Sequence, residues 1–360
     1  MLYHLFFELL RDYFSPLRIF QYITFRSIYA AAVAFIVCVA AGPWMIRKLR
    51  KMKIGQKVRE EGLQEHLSKE GTPTMGGLLI LVSWLAATLL FAQLTNPLVW
   101  VCLLSALWFG AIGLLDDMSK IRKNQSLGLR GRQKIVLQAA GGLAIGLYLA
   151  YNGPGTTLAP PFFKQFQPEL PVWLYAVFAA FVMTASANSV NLTDGQDGLA
   201  IGCVLPVTAV FAGLSYVAGH AVAAQYLDIV HVEQAGELVV YAMALTGACL
   251  GFLWWNAYPA KVFMGDTGSM ALGGAVGAVA LCIKQELLLP ILGGIFVANA
   301  LSVILQVWHF RRTGGKRLFR MAPLHHHFEK GGAPEPKVTV QFWIVGIILA
   351  LIAVSSLKIR

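Results

Sequence analysis

The chain has 360 residues, of which 57% are hydrophobic and 13% charged, and its formal net charge is +11. A water-soluble domain of this length carries about 25% charged residues, so the composition excludes one and points to an integral membrane protein. The five cysteines (Cys38, Cys102, Cys203, Cys249 and Cys282) fall in apolar runs and lack metal-ligand spacing, which excludes a disulfide framework and a zinc site.

The first 26 residues mix Phe, Leu and Tyr with Glu8, Arg11, Asp12 and Arg18, and no small-residue cleavage site follows an uncharged core. They read as an interfacial segment leading into the first span. Ten apolar stretches follow, each near the roughly 20 residues that cross a bilayer: 27–46, 75–94, 97–115, 135–151, 171–190, 199–219, 238–255, 267–283, 287–308 and 338–357. None contains Asp, Glu, Lys or Arg. The eighth is short and Gly-rich, which suggests a tilted or partly re-entrant helix. The expected fold is an all-α polytopic membrane protein of about ten transmembrane helices, with residues 1–360 forming one domain.

The basic residues orient it. Loops 47–74, 116–134, 191–198, 256–266 and 309–337 carry 8, 6, 0, 1 and 7 Lys and Arg, and the termini and opposite loops together carry the remaining 7. By the positive-inside rule the first set is cytoplasmic and both termini are periplasmic. The surplus charge is thereby explained without nucleic acid.

Acids collect on the same side. Of seven aspartates, Asp116, Asp117, Asp194, Asp197 and Asp266 lie at the mouths of three cytoplasmic loops. Any one of them is explained by the wetness of loops; the restriction to the short carboxylate at all three places is not. Asp116 and Asp117 end the third span, and adjacent carboxylates repel unless a cation or base neutralises them. Asp194 and Asp197, in NSVNLTDGQDGLA, are three apart and would share a face on a helical turn, with Asn188 and Asn191 nearby. Asp266 sits in VFMGDTGSM, where Gly265 and Gly268 permit close backbone approach and Thr267 and Ser269 offer hydroxyls and N–H groups. Hard oxygen ligands around a phosphate suit Mg²⁺. The segment MAPLHHHFEKGGAPEP adds His325, His326 and His327, which read as phosphate contacts; three in a row cannot all ligate one metal in regular geometry. HLSKEGTPTMGG supplies His66, Lys69 and Thr74 ahead of a helix opened by Gly76 and Gly77.

These motifs, with TFRS near residue 24, NAYPAKVFMGDTGS and PEP, together resemble the MraY family of phospho-N-acetylmuramoyl-pentapeptide transferases, within the polyprenyl-phosphate N-acetylhexosamine-1-phosphate transferase superfamily. The resemblance runs essentially end to end, and the His triplet followed by Phe and Glu looks like the muramoyl-pentapeptide branch. Gln196 departs from it, since the family more often has Leu between the two aspartates. The resemblance implies transfer of a phospho-sugar from UDP-N-acetylmuramoyl-pentapeptide to undecaprenyl phosphate at the cytoplasmic leaflet of the inner membrane, giving UMP and lipid I. It implies Mg²⁺ held by Asp266 with Asp117 or Asp194, and catalytic roles for Asp116, Asp117, Asp266 and His325. Lys69, Thr74, Asn188, Asn191, Asp194, Asp197, Asn256, Phe263, His326 and His327 would line the substrate pocket, while Lys134, with Arg130 and Arg132, would face the phosphates. It further implies a homodimer and proximity to other peptidoglycan-synthesis enzymes. Two readings compete: an N-acetylglucosamine-1-phosphate transferase, disfavoured by HHHFE, and a transporter, disfavoured because transport pathways place ionisable groups near the bilayer midplane.

Overall fold

Residues 1–10, 12–52, 71–123, 128–163 and 165–358 are described by the computed structural model. Among them the extended regular elements are all helices, with isolated β-bridge positions such as the pair Thr157 and Glu169. An apolar surround dictates this, because a helix satisfies its backbone hydrogen bonds within its own segment.

The helices are α1 (Ile23–Lys51), α2 (Gly77–Phe91), α3 (Pro97–Lys123), α4 (Gly131–Asn152), α5 (Val172–Thr193), α6 (Leu199–Gly219), α7 (Ala221–Leu227), α8 (Leu238–Asn256), α9 (Gly265–Cys282), α10 (Leu289–Leu292), α11 (Gly294–Arg312), α12 (Leu324–Glu329) and α13 (Glu335–Ser355). Among the described residues eight are long and apolar enough to cross a membrane: α1, α3, α4, α5, α6, α8 with its lead-in turn, α11 and α13. The second and eighth expected stretches are also helices. Here α2 has 15 residues, while α9 has 18 and is buried at every residue from Thr267 to Cys282. Of the two expectations for the eighth segment, the partly re-entrant one gives way to an intact helix enclosed by protein. Glycines on its neighbours let them pack close: a Cβ at Gly77 on α2 would overlap the backbone of Gly268, and one at Gly113 on α3 would overlap the carbonyl oxygen of Asp266. The ninth stretch is broken at Gly293, between α10 and α11.

Two short irregular helical segments, Tyr3–Leu9 and Ser15–Gln21, precede α1. Arg26, in the first turn of α1, is buried and makes a two-pronged ion pair with Glu237 just ahead of α8; its Nη1 lies 2.7 Å from Glu237 Oε2. The same oxygen accepts the N–H of Gln93 at 2.9 Å. This pair joins α1, the end of α2 and the start of α8. The other ends of α2 and α8 lead into the loops that build the site.

Candidate active site

Three separate segments converge on the N-terminus of α9. Its first turn exposes N–H groups with no partner inside the helix and a partial positive charge. Carboxylates from two other elements lie against this end. Asp117, on the last turns of α3, accepts from the N–H of Thr267 at 2.9 Å, from its hydroxyl at 2.7 Å and from the N–H of Asp266 at 3.2 Å. Asp194, just past the end of α5, lies near the backbone N–H of Gly265, which favours its charged form. Gly265 has φ of +75°, and a Cβ there would lie 2.9 Å from Asp117 Oδ2 and 3.0 Å from Thr74 Oγ1. Glycine is required here by both the left-handed backbone and the lack of space.

Asp116 and Asp266 turn toward two lysines. The Lys120 ammonium lies 2.7 Å from Asp116 Oδ2 and 3.1 Å from Asp266 Oδ1, and that of Lys134 lies 3.1 Å from Asp116 Oδ1 and 2.6 Å from Asp266 Oδ2. One oxygen each from Asp116, Asp117 and Asp266 lie within 4.8 Å of one another, Asp116 and Asp117 being buried. Three carboxylates against two ammoniums leave a net negative charge. An all-oxygen donor set of that charge fits a hard divalent cation such as Mg²⁺. Asp194 stands beside this group, not in it. Burial, followed by the neighbouring charges of Asp266, Asp117 and Asp197, pushes its carboxyl up to about 8.

The shared helical face expected for Asp194 and Asp197 does not form. The helix ends at Thr193, and residues 194–198 form a turn closed by Gly198 at φ +72°. Asp197 accepts from the Ala260 N–H at 2.9 Å, while its own N–H is bound by Glu335 at 2.8 Å. Asn256 accepts from the Gly198 N–H and donates to the Val262 carbonyl. These bonds fix loop 257–264 against the 194–198 turn. Phe263, half-buried, exchanges backbone bonds with Pro73 and Gly76, which places half-buried Thr74 at the rim. Asn191 donates to Ser269 at 2.8 Å, whereas Asn188 holds Gln138 of α4 and the Thr184 carbonyl. Lys69 and His66 lie outside the described residues.

Of the histidines, His325 is fully buried with its Nε2 edge over Gly195, and a Cβ on Gly195 would overlap it. His326 stacks near it at 4.2 Å between ring centroids, and its Nδ1 lies 3.0 Å from Glu329. Glu329 also binds Gln196 at 3.2 Å, so the residue unusual for the resemblance has a polar partner. His327 turns away and accepts the Arg320 N–H. Lys120 is the site residue missed in the sequence; its signal was its place four after Asp116 and three after Asp117.

An acidic, lysine-bridged site at the mouth of an all-helical membrane bundle defines a membrane transferase acting on phosphorylated substrates. The family model described as Glycosyl transferase family 4 matches residues 99–284, and the first phospho-N-acetylmuramoyl-pentapeptide-transferase signature matches residues 69–81. Similar over the whole of both chains are proteins named phospho-N-acetylmuramoyl-pentapeptide-transferase from Desulfotalea psychrophila, Desulfatibacillum aliphaticivorans and Solibacter usitatus, at 53%, 52% and 48% identity. The chain belongs to the phospho-N-acetylmuramoyl-pentapeptide-transferase family.

Proposed function

We propose that the chain transfers phospho-N-acetylmuramoyl-pentapeptide from its UDP carrier to undecaprenyl phosphate, releasing UMP and forming lipid I. The observation that carries this reading is the meeting of Asp116, Asp117, Asp194 and Asp266 with Lys120 and Lys134 around the N-terminus of α9. One substrate is a lipid that stays in the bilayer and the other a polyanion that stays out of it, so the reaction belongs where the bundle meets the cytosol. The reading includes ten spans, both termini periplasmic, in the bacterial inner membrane. The clustering of Lys and Arg in the loops on the site's side supports that orientation.

Phosphoryl transfer depends on positioning and charge neutralisation. Asp116, Asp117 and Asp266 would hold Mg²⁺, which when bound supplies positive charge against the pyrophosphate oxygens. Lys120 and Lys134, held against Asp116 and Asp266, would face the same oxygens, and His325 and His326 pack against the 194–197 turn. Thr74, Asn191 and Phe263 line the nucleotide side. An oxygen of the lipid phosphate bonds to the sugar-linked phosphorus as the bond to UMP breaks. That phosphate is largely dianionic near neutral pH, its second pKa being about 6, so it attacks without a strong base. Asp117 is a poor covalent nucleophile, because both its oxygens already hold α9. A phospho-sugar trapped on Asp116, Asp117 or Asp266 without lipid acceptor would overturn direct attack.

The test is UMP release by purified protein from UDP-N-acetylmuramoyl-pentapeptide, with and without polyprenyl phosphate and Mg²⁺. Release requiring both is expected, with Asp266→Asn losing about 10²-fold or more. Near wild-type release by Asp266→Asn would remove the metal assignment, and preference for UDP-N-acetylglucosamine would remove the substrate.

A further inference from the structure

We propose that Asn299, on α11, is a positioning residue that fixes the tautomer and ring orientation of His325. The proposal rests on His325 acting at the phosphates, as assigned above. Asn299 is fully buried, like Thr193 and His325, so each of its amide atoms must find a protein partner.

The direction of the chain of bonds follows from one hydroxyl proton. Thr193 Oγ1 donates to the Ser189 carbonyl at 2.8 Å, one helical turn back along α5. With that proton used, Thr193 Oγ1 can only accept. It accepts from Asn299 Nδ2 at 3.1 Å. The amide is thereby turned so that Oδ1 faces His325 Nδ1, 3.3 Å away. A carbonyl oxygen only accepts, so Nδ1 must carry the proton. Nε2, the nitrogen over Gly195 beside Asp194, is then the one that exchanges its proton or hydrogen bond with substrate. Asn299 supports both ring states, since Nδ1 keeps its hydrogen in imidazole and imidazolium alike. The titratable groups around His325 include His326, whose ring packs on it, Glu329 behind His326, and Asp194, next to the Gly195 that Nε2 overlies.

Nothing local in the sequence links residues 299 and 325. The link is made because α11 runs past the end of α5 while α12 folds back over it. Ser302 caps the arrangement by donating to the Asn299 carbonyl at 2.7 Å, which keeps that stretch of α11 in place.

The test uses the full-length enzyme and four variants beside His325→Ala. Asn299→Leu keeps the bulk and removes both bonds; kcat is expected to fall about 10- to 100-fold, the usual cost of losing a residue that orients a functional one, with the KM for the nucleotide sugar little changed. Asn299→Asp puts a carboxylate at Nδ1, and the alkaline limb of the pH–kcat profile should move up by about one unit or more. Thr193→Ser should retain activity and Thr193→Val lose it, because only the hydroxyl orients the amide. If Asn299→Leu lowers the melting temperature while kcat stays within about twofold and the Asn299→Asp profile overlays wild type, Asn299 merely ties α11 to α5 and the inference falls. Should Asn299→Leu fail to fold, the Asn299→Asp profile and the Thr193 pair decide alone. Full turnover by His325→Ala would instead overturn the role of His325, a separate failure.

Discussion

Asp194 carries the clearest pH signature of any residue at the site. Its carboxyl is raised from about 3.8 to about 8 by burial and by Asp266, Asp117 and Asp197. The folded protein therefore binds this proton more tightly than the unfolded chain across that window, and stability is greatest below it and declines as pH rises through it. Thermal unfolding without divalent cations should show a falling melting temperature from about pH 5 to about pH 8, and Asp194→Asn should flatten that slope. Mg²⁺ added near pH 8 should raise the melting temperature of the wild type, since a ligand of the folded state stabilises it. An unchanged slope in Asp194→Asn would mean that another buried acid dominates. The residue types at the site were legible in the sequence, because the acids at these loop mouths are all the short carboxylate. Their division of labour was not. That Asp117 caps α9 with Asp194 beside it, while Asp116 and Asp266 face lysines, depends on where α9 begins relative to α3 and α5, which no spacing along the chain encodes. The misplaced helical face of Asp194 and Asp197 did have a warning, in the glycines at 195 and 198.

At the scale of helices, the site depends on how closely α2 and α3 approach α9. Gly113 makes that approach possible on the α3 side, since a Cβ there would overlap the Asp266 carbonyl oxygen. Gly113→Ala should force α9 outward at the turn that carries Asp266. Overpacking of this kind costs about 1–3 kcal/mol, and a shift of about 1 Å at a reacting centre costs on the order of 10²-fold in rate. Gly213→Ala on α6 is the matched control, because a Cβ there meets nothing within 4 Å. UMP release and melting temperature measured on both should fall for Gly113→Ala and hold for Gly213→Ala; equal behaviour would show that the α3–α9 contact does not set the geometry. Helix positions were read from apolar length with fair success. What the reading missed were the break at Gly293 and the enclosure of α9, since length and hydropathy do not tell a lipid-facing helix from one wrapped in protein.

Across the whole molecule, two polar assemblies mark opposite ends of the bundle. The Arg26–Glu237 pair closes the end where α1 and α8 begin, and the aspartate–lysine cluster opens the end where α3 and α5 finish and α9 begins. The proposed reading, which rests on the uneven distribution of Lys and Arg, puts the second end at the cytosol. The five native cysteines are all free and buried, so a membrane-impermeant maleimide finds a quiet background and an introduced cysteine reports its own side. Glu233 and Lys330 are both exposed, on loops at opposite ends. In intact spheroplasts Glu233→Cys should label at once, and Lys330→Cys only after the membrane is permeabilised. The reverse pattern would place the carboxylate cluster outside the cell, where UDP-linked substrates are absent, and the proposed reaction could not take place there whatever the quality of the site.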